Sequence, residues 1–142
     1  MWRNVALLVV ALAACRPAPA DAPPPVAWGS ATCSYCHMTV NTSRHAAQLV
    51  PGRGSPRVFD EAGCLLSYLA AADTTSLAQA RAWVYVEDAD DWLAAEAAFY
   101  QVMERPSGGL MFGILAFKEH ERAAGAGGRV LTFAELLAEL RS

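Results

Sequence analysis

The sequence contains little charge and no excess of basic residues. Only 18% of its 142 residues are charged, and the formal net charge is −3 at pH 7. Proteins that bind nucleic acid through its phosphates need a basic surface, so we expect no nucleic-acid partner. Since 54% of the residues are hydrophobic, the chain is not a disordered tail. It is long enough for one compact domain or two very small ones.

The N-terminal apolar run is too short to span a membrane. It extends from Val5 to Ala14 after Arg3, and its length of about ten residues is roughly half of what crosses a bilayer as a helix. A charged start followed by such a run is typical of a signal peptide. Leu12 to Cys15 resembles the lipobox of bacterial lipoproteins, in which cleavage leaves a lipidated cysteine. We therefore predict a lipoprotein signal peptide over residues 1–14 and lipidation at Cys15.

The residues after Cys15 indicate where the protein is held. Several acyl chains together anchor a protein stably to a membrane. Arg16 follows Cys15, and the lack of an acidic residue there predicts sorting to the outer membrane of a Gram-negative cell, facing the periplasm. Residues 15–26 are rich in proline and alanine, which predicts an extended tether. The folded domain is expected to occupy residues 27–142.

Cysteine is scarce, and the mature chain would keep an odd number of cysteines beyond Cys15: Cys33, Cys36 and Cys64. A pure disulfide scaffold avoids an odd thiol in an oxidising compartment, whereas a metal site can use it. A closed zinc site would need a second cysteine pair or a Cys/His set at finger spacing, and neither is present. The string from Cys33 to Met38 instead combines two thiols, an imidazole and a thioether. This density of soft donors indicates metal chemistry.

Two other interpretations of this string remain open. Cys33 to His37 satisfies the pattern for covalent haem attachment, with His37 as axial ligand. A c-type cytochrome lipoprotein is therefore the alternative function, although β-prone sequence follows where such proteins have helices. A redox pair or structural disulfide is the third interpretation, but a thiol oxidoreductase places its cysteine pair at the start of a helix.

A Cu(I) site fits the string best, because thiolates and thioethers select this ion over hard divalent ions. If the segment is extended, the side chains of Cys36 and Met38 point to the same face and can bind one ion together with Cys33. His37 would point away, so we rank it as a secondary ligand. Cys64 lies in the first turn of a predicted helix. We expect it to be a small buried residue rather than an accessory thiol.

Sequence patterns predict an α+β domain around this site. A turn rich in glycine and proline at residues 51–56 predicts a hairpin within residues 45–59, and Asp60 is expected to cap a helix from Glu61 to Ala72. Further strands are predicted at residues 81–86 and 129–131, and helices at residues 117–124 and 133–140. Residues 92–103 are ambiguous between helix and strand. Both halves of the domain follow the order β, β, helix, β.

The order of these motifs resembles that of the NosL family of copper-binding lipoproteins, which are accessory factors of nitrous oxide reductase. The likeness rests on the string CSYCHMTV, on residues 59–64, on a glycine loop that contains a methionine before Phe117, and on residues 127–132. It covers nearly all of the mature domain.

This resemblance implies a fold of two small ββαβ-like units in one compact domain. It implies a periplasmic Cu(I) metallochaperone, not an enzyme, whose partner is nitrous oxide reductase or its maturation complex. The Cys-x-x-Cys-x-Met motif of the family falls on Cys33, Cys36 and Met38, and its loop methionine falls on Met111.

Overall fold

The structure is a computed structural model that describes residues 21–142 of the chain. The predicted signal peptide at residues 1–14 and the predicted lipidation site at Cys15 lie outside the described residues. Contacts with the folded part begin within the predicted tether, because Gln48 Nε2 donates a hydrogen bond of 3.0 Å to the carbonyl of Pro24. No helix among residues 21–142 is long and apolar enough to cross a membrane.

A small antiparallel hairpin presents the predicted metal-binding string. Strand β1 (Ala31–Thr32) pairs with β2 (Thr39–Val40), and residues 33–38 form the loop between them. The backbone N–H of Cys33 donates to the carbonyl of Met38 at 2.8 Å and closes the base of this loop. Ser34 N–H donates to the carbonyl of Val58, also at 2.8 Å, and thereby docks the loop on the main sheet.

The main sheet has seven strands, and three helices accompany it among the described residues. The strands are β3 (Ala47–Val50), β4 (Arg57–Phe59), β5 (Arg81–Val86), β6 (Asp91–Ala94), β7 (Phe99–Val102), β8 (Ile114–Phe117) and β9 (Arg129–Thr132). The helices are α1 (Ala62–Ala71), α2 (His120–Gly125) and α3 (Phe133–Arg141).

The strands of this sheet are mixed in direction. They follow the order β4-β3-β5-β8-β7-β9, and β6 pairs with β5 off this path. Strands β5 and β8 run parallel, with Val86 opposite Ala116, whereas the other strand pairs are antiparallel. A short parallel contact therefore joins two antiparallel parts of the sheet.

The two halves of the domain repeat one arrangement. Strands β3, β4 and β5 with α1 form the first half, and β7, β8 and β9 with α2 form the second. In each half the first strand lies between the second and the third. The predicted α+β fold with two ββαβ-like units in one compact domain is therefore confirmed.

Most predicted elements lie where the sequence placed them, and one helix begins later than predicted. The hairpin, β5 and α3 agree with prediction, and the ambiguous residues 92–103 contain β6 and β7 around a 3-10 turn at Ala95–Ala97. The predicted helix at residues 117–124 starts too early, because Phe117 ends β8. Asp88 accepts the backbone N–H groups of Lys118 and Glu119 at 2.7 and 2.9 Å, and these hydrogen bonds hold the turn before α2.

The hydrophobic core lies between the sheet and helix α1, which also contacts α3. Leu65, Leu66 and Leu69 of α1 are buried, as the sequence predicts, and Phe59 at the end of β4 is fully buried. Burying one such side chain contributes about 1.5–3 kcal/mol. The core therefore fixes the start of α1 close to the end of β4 and to the hairpin loop.

Candidate metal centre

Four side chains bring sulfur and oxygen donors together at the start of α1. One donor atom from each of Cys33, Cys36, Asp60 and Cys64 lies within 4.8 Å of the others. The hairpin loop supplies Cys33 and Cys36. Asp60 directly follows β4, and Cys64 lies in the first turn of α1. We call these four residues the cysteine cluster. It includes two of the predicted ligands, Cys33 and Cys36.

The hairpin loop is a tight turn and not an extended segment. Residues 34–36 form the turn, the N–H of His37 donates to the carbonyl of Cys33 at 3.1 Å, and His37 has a left-handed backbone with φ 66°. The premise that placed Cys36 and Met38 on one face of a strand is therefore wrong. The turn directs Cys33 and Cys36 into the cluster and leaves His37 and Met38 exposed.

Asp60 has a different role from the one that the sequence predicts. The N-terminal cap position of α1 is Glu61, and no side chain caps the helix there. The half-buried Asp60 instead accepts a hydrogen bond from Cys36 Sγ at 3.4 Å through Oδ1. The predicted helix cap is therefore wrong, and the carboxylate belongs to the cysteine cluster.

The three thiols of the cluster differ in acidity. The hydrogen bond from Cys64 lowers the pKa of Cys33 to about 6 against the opposing effect of burial, and the backbone N–H groups of Cys36, Tyr35 and Asp60 act in the same direction as Cys64. The bond to Cys33, together with burial, raises the pKa of Cys64. Burial is the main cause that raises the pKa of Cys36 to about 11. At neutral pH the cluster therefore holds one thiolate, on Cys33, and two thiols.

Cys64 is buried, as expected, but it is more than a small apolar residue. Its sulfur donates to Cys33, and its side chain is fully buried. Asp60 comes just before the cap position of α1 and Cys64 lies in its first turn, and the two donor atoms meet at the start of the helix. An Asp-x-x-x-Cys spacing after a Cys-x-x-Cys motif is the sequence signal that could have revealed both residues.

The predicted loop methionine, Met111, lies between β7 and β8, on a segment that docks against the start of α1. The backbone N–H groups of Met111 and Phe112 donate to Glu61 Oε1 at 2.7 and 3.2 Å. The Phe112 side chain packs against Gly63 of α1, and its ring centroid lies 5.8 Å from that of Tyr35 in the hairpin loop. The segment is thus fixed beside the cysteine cluster, while the side chain of Met111 is 53% exposed.

Met38 borders a cavity of about 310 Å³ next to the cluster. The cavity is also lined by Asp60, Glu61 and residues 108–110 of the loop that carries Met111. Met38 itself is 57% exposed. Both segments with a predicted thioether ligand therefore face one opening beside Asp60, although only Cys33 and Cys36 of the predicted ligands are members of the cluster.

The donor set of the cluster suits a soft metal ion. Three sulfur atoms favour Cu(I) or another thiophilic ion, whereas a single carboxylate is too few hard donors for magnesium or calcium. Cys33 and Cys64 are fully buried and Cys36 is half-buried. An ion at this place would be shielded from water on the side of α1 and approachable from the side of Cys36.

The geometry offers little support for the haem alternative. Covalent attachment would require the sulfurs of Cys33 and Cys36 at the wall of a porphyrin pocket, with His37 facing the iron. Cys33 is instead fully buried against Cys64, and His37 lies exposed at the end of the turn. The arrangement matches a compact cluster of donors around one small ion better than it matches a macrocycle.

Fold and site together define a small α+β domain with a sulfur-rich candidate centre for a soft metal ion. The sequence matches the family model described as NosL over residues 27–140, and the chain therefore belongs to the NosL family. This match confirms the resemblance on which the sequence-based prediction rested.

The comparison with solved structures agrees with the family. The chain is similar to the crystal structure of the copper chaperone NosL from Shewanella denitrificans, with a TM-score of 0.61 and 19% sequence identity. The superposition covers 80% of this chain and 96% of that chain. At this identity the likeness shows a shared fold. No curated protein matches the sequence significantly.

Proposed function

We propose that this protein is a Cu(I) metallochaperone that supplies copper for the copper sites of nitrous oxide reductase, and thereby serves denitrification. The observation that carries the proposal is the convergence of three cysteine sulfurs and one carboxylate within 4.8 Å, beside two exposed methionines. Membership in the NosL family supports it, as does a related fold in a protein described as a copper chaperone. The protein carries an ion and is not an enzyme.

Cys33 and Cys36 are the proposed principal ligands, with Met38 and Met111 as thioether ligands and His37 as a secondary ligand. Cys33 is poised to bind because its sulfur is ionised at neutral pH. Thiolate and thioether donors together select Cu(I). Cys64 and Asp60, the other two members of the cysteine cluster, would lie beside the same ion.

The burial of these donors suggests how the ion moves. Cys33 is fully buried, Cys36 is half-buried, and Met38 and Met111 are more than half exposed. An incoming ion can meet the exposed thioethers first and pass to the buried thiolate by stepwise ligand exchange. A donor from a docked partner can reverse this order, and because it joins before a resident ligand leaves, the ion is never without ligands.

We further propose that the domain works at the periplasmic face of the outer membrane, anchored through lipid on Cys15. The partner in this setting is a copper-accepting enzyme, nitrous oxide reductase or its maturation complex. The predicted lipobox supports the anchor, and the family supports the partner.

The experiment is a titration of the reduced domain with Cu(I) in competition with a coloured Cu(I) chelator. We expect one tightly bound equivalent. Tight binding should be lost in Cys33→Ser and weakened in Met38→Leu, because both variants remove a sulfur ligand of the ion. Met103→Leu is the matched control, since Met103 is neither a member of the cysteine cluster nor a proposed ligand, and leucine nearly conserves its volume.

Three outcomes would contradict the proposal. Wild-type protein that leaves all copper on the chelator would refute Cu(I) binding. Protein that binds zinc as tightly and in place of copper would refute the choice of ion. A Soret band in protein matured in the periplasm would favour the cytochrome alternative. Transfer of bound copper to apo nitrous oxide reductase, but not to an unrelated apo copper protein, would identify the acceptor.

A further inference from the structure

We propose that Glu61 is a positioning residue that holds Met111 at the metal site through the backbone of the methionine loop. We define the methionine loop as residues 106–113, between β7 and β8. The inference rests on the proposed function, because it assigns how one of the thioether ligands is placed. Glu61 itself is not proposed to bind the ion.

The carboxyl group of Glu61 is the anchor of the loop. The side chain is only 2% exposed, and Oε1 accepts the N–H groups of both Met111 and Phe112. Two hydrogen bonds from consecutive backbone groups to one oxygen fix the direction of the chain at this point. They fix the backbone of Met111, whereas its side chain stays more than half exposed and free to turn toward an ion.

Glu61 also places the methionine loop next to the cysteine cluster, because it is a sequence neighbour of a cluster member. It follows Asp60 directly, and the carboxylate of Asp60 is a member of the cluster. Two residues beyond Glu61, Gly63 leaves room for Phe112, because a Cβ at Gly63 would lie only 2.4 Å from the Cβ of Phe112. Residues 60–64 therefore carry two cluster members and both docking points of the loop.

The buried carboxyl of Glu61 is less favourable for stability than an apolar contact at the same place would be. Glu61 Oε2 is buried without a hydrogen-bond partner among the described residues, and a buried polar atom in this state destabilises the folded protein. An apolar side chain would dock the loop without that cost. A carboxyl that accepts two N–H groups provides direction as well as contact, which is what placing a ligand requires.

The test compares Cu(I) affinity in Glu61→Ala, Glu61→Gln, Met111→Leu and the double variant Glu61→Ala/Met111→Leu. Glu61→Ala should weaken binding about 10- to 100-fold, the usual cost of removing a group that orients a metal ligand. Glu61→Gln keeps an oxygen acceptor and should stay near wild type. Met111→Leu should lose as much as Glu61→Ala, and the double variant should lose no more than either. Glu96→Ala, an exposed residue on the 3-10 turn, is the matched control.

A spectroscopic readout separates positioning from general stability. In protein labelled at the methionine methyl groups, Cu(I) should shift the Met38 and Met111 signals in wild type. In Glu61→Ala it should shift the Met38 signal but no longer the Met111 signal. If Glu61→Ala does not fold, Glu61→Leu takes its place in the same cycle, because leucine fills the buried space and still removes the oxygen that accepts the two N–H groups.

The outcomes distinguish this inference from the proposed function. Wild-type protein that binds no Cu(I) overturns both. Wild-type binding with a Met111→Leu variant of unchanged affinity, or with losses that multiply in the double variant, overturns only the role of Glu61. Restored affinity in Glu61→Gln together with the non-additive cycle supports it.

Discussion

The three cysteines of the cluster, Cys33, Cys36 and Cys64, differ in protonation and in exposure because their surroundings differ. Cys33 accepts hydrogen bonds and is ionised at neutral pH, while Cys64 keeps its proton because it donates to Cys33. Cys36 is protonated for another reason, chiefly burial, and it is the one thiol of the cluster that is not fully buried. The ionised sulfur and the accessible sulfur are therefore different residues.

This separation predicts an unusual pattern of thiol alkylation in the metal-free protein. Cys36 should react first with iodoacetamide, because Cys33, although ionised, is fully buried and reacts only after local opening. Since the pKa of Cys36 is raised to about 11, its rate should rise about tenfold per pH unit from pH 7 and level off near pH 11. Peptide mapping by mass spectrometry measures both the site and the rate.

Cys36→Ser is the control, and it should abolish the fast phase. Labelling of Cys33 before Cys36, or a rate that levels off below pH 9, would contradict the assignment of accessible and ionised sulfurs. Bound Cu(I) should suppress the reaction in wild-type protein.

Among the secondary-structure elements, the start of α1 determines most of the site. Within residues 60–64 the chain places Asp60 and Cys64 in the cluster, Glu61 under the methionine loop, and Gly63 beneath Phe112. Glycine in a helix interior usually costs about 1 kcal/mol relative to alanine. Here its missing Cβ is what allows the methionine loop to approach.

Gly63→Ala should therefore destabilise the protein although alanine is the better helix former. The added Cβ would lie 2.4 Å from the Cβ of Phe112, and overpacking of this kind costs about 1–3 kcal/mol. After the gain in helix propensity, of about 1 kcal/mol, we expect a net loss of about 1 kcal/mol in the free energy of unfolding. Urea denaturation followed by circular dichroism measures it.

Gly125→Ala provides the matched control in another helix. Gly125 lies at the end of α2, and a Cβ there meets no atom within 4 Å. The same substitution should stabilise the protein by up to about 1 kcal/mol. Equal effects at the two glycines would show that the Phe112 contact is unimportant.

Local patterns in the sequence were enough to predict the elements but not the contacts between them. Turn residues and hydrophobic spacing, which act over a few residues, predict the hairpin of β3 and β4, strand β5 and the buried face of α1. The role of Asp60 was mispredicted because a carboxylate before a helix is normally a cap, and the competing partner, Cys36, is 24 residues away. The contact of Glu61 with Met111 spans 50 residues and leaves no local trace.

At the scale of the whole molecule, the site depends on both halves of the fold. The first half, with the hairpin before it, supplies every member of the cysteine cluster, and the second half supplies the methionine loop. The halves share a sheet through the parallel contact between β5 and β8, and the loop adds a second connection through Glu61 and Gly63. Ligand binding by Met111 would thus require that the halves are correctly joined.

We predict that the lipid anchor at Cys15 can be removed without changing copper binding by the folded domain. Cys15→Ser should move the protein from the membrane fraction to the soluble periplasmic fraction and abolish labelling by a radioactive fatty acid. Cu(I) affinity should stay unchanged, because the family match begins at residue 27. Fractionation, labelling and chelator competition on the same preparations provide the measurements.

Arg3→Lys, which keeps the charge before the predicted apolar run, is the control and should leave the protein in the membranes. A Cys15→Ser protein that remains in the membrane fraction and still incorporates fatty acid would contradict lipidation at this residue.

The hydrogen bonds from Met111 and Phe112 to Glu61 also set an order of events during biosynthesis. All three thiols emerge before residue 65, but Glu61 obtains its donors from a segment 50 residues further along the chain. Until that segment arrives, the carboxyl of Glu61 lacks both of its backbone donors and the start of α1 lacks the loop that docks against it. The chain can therefore assemble its cysteine cluster before the methionine loop is able to dock beside it.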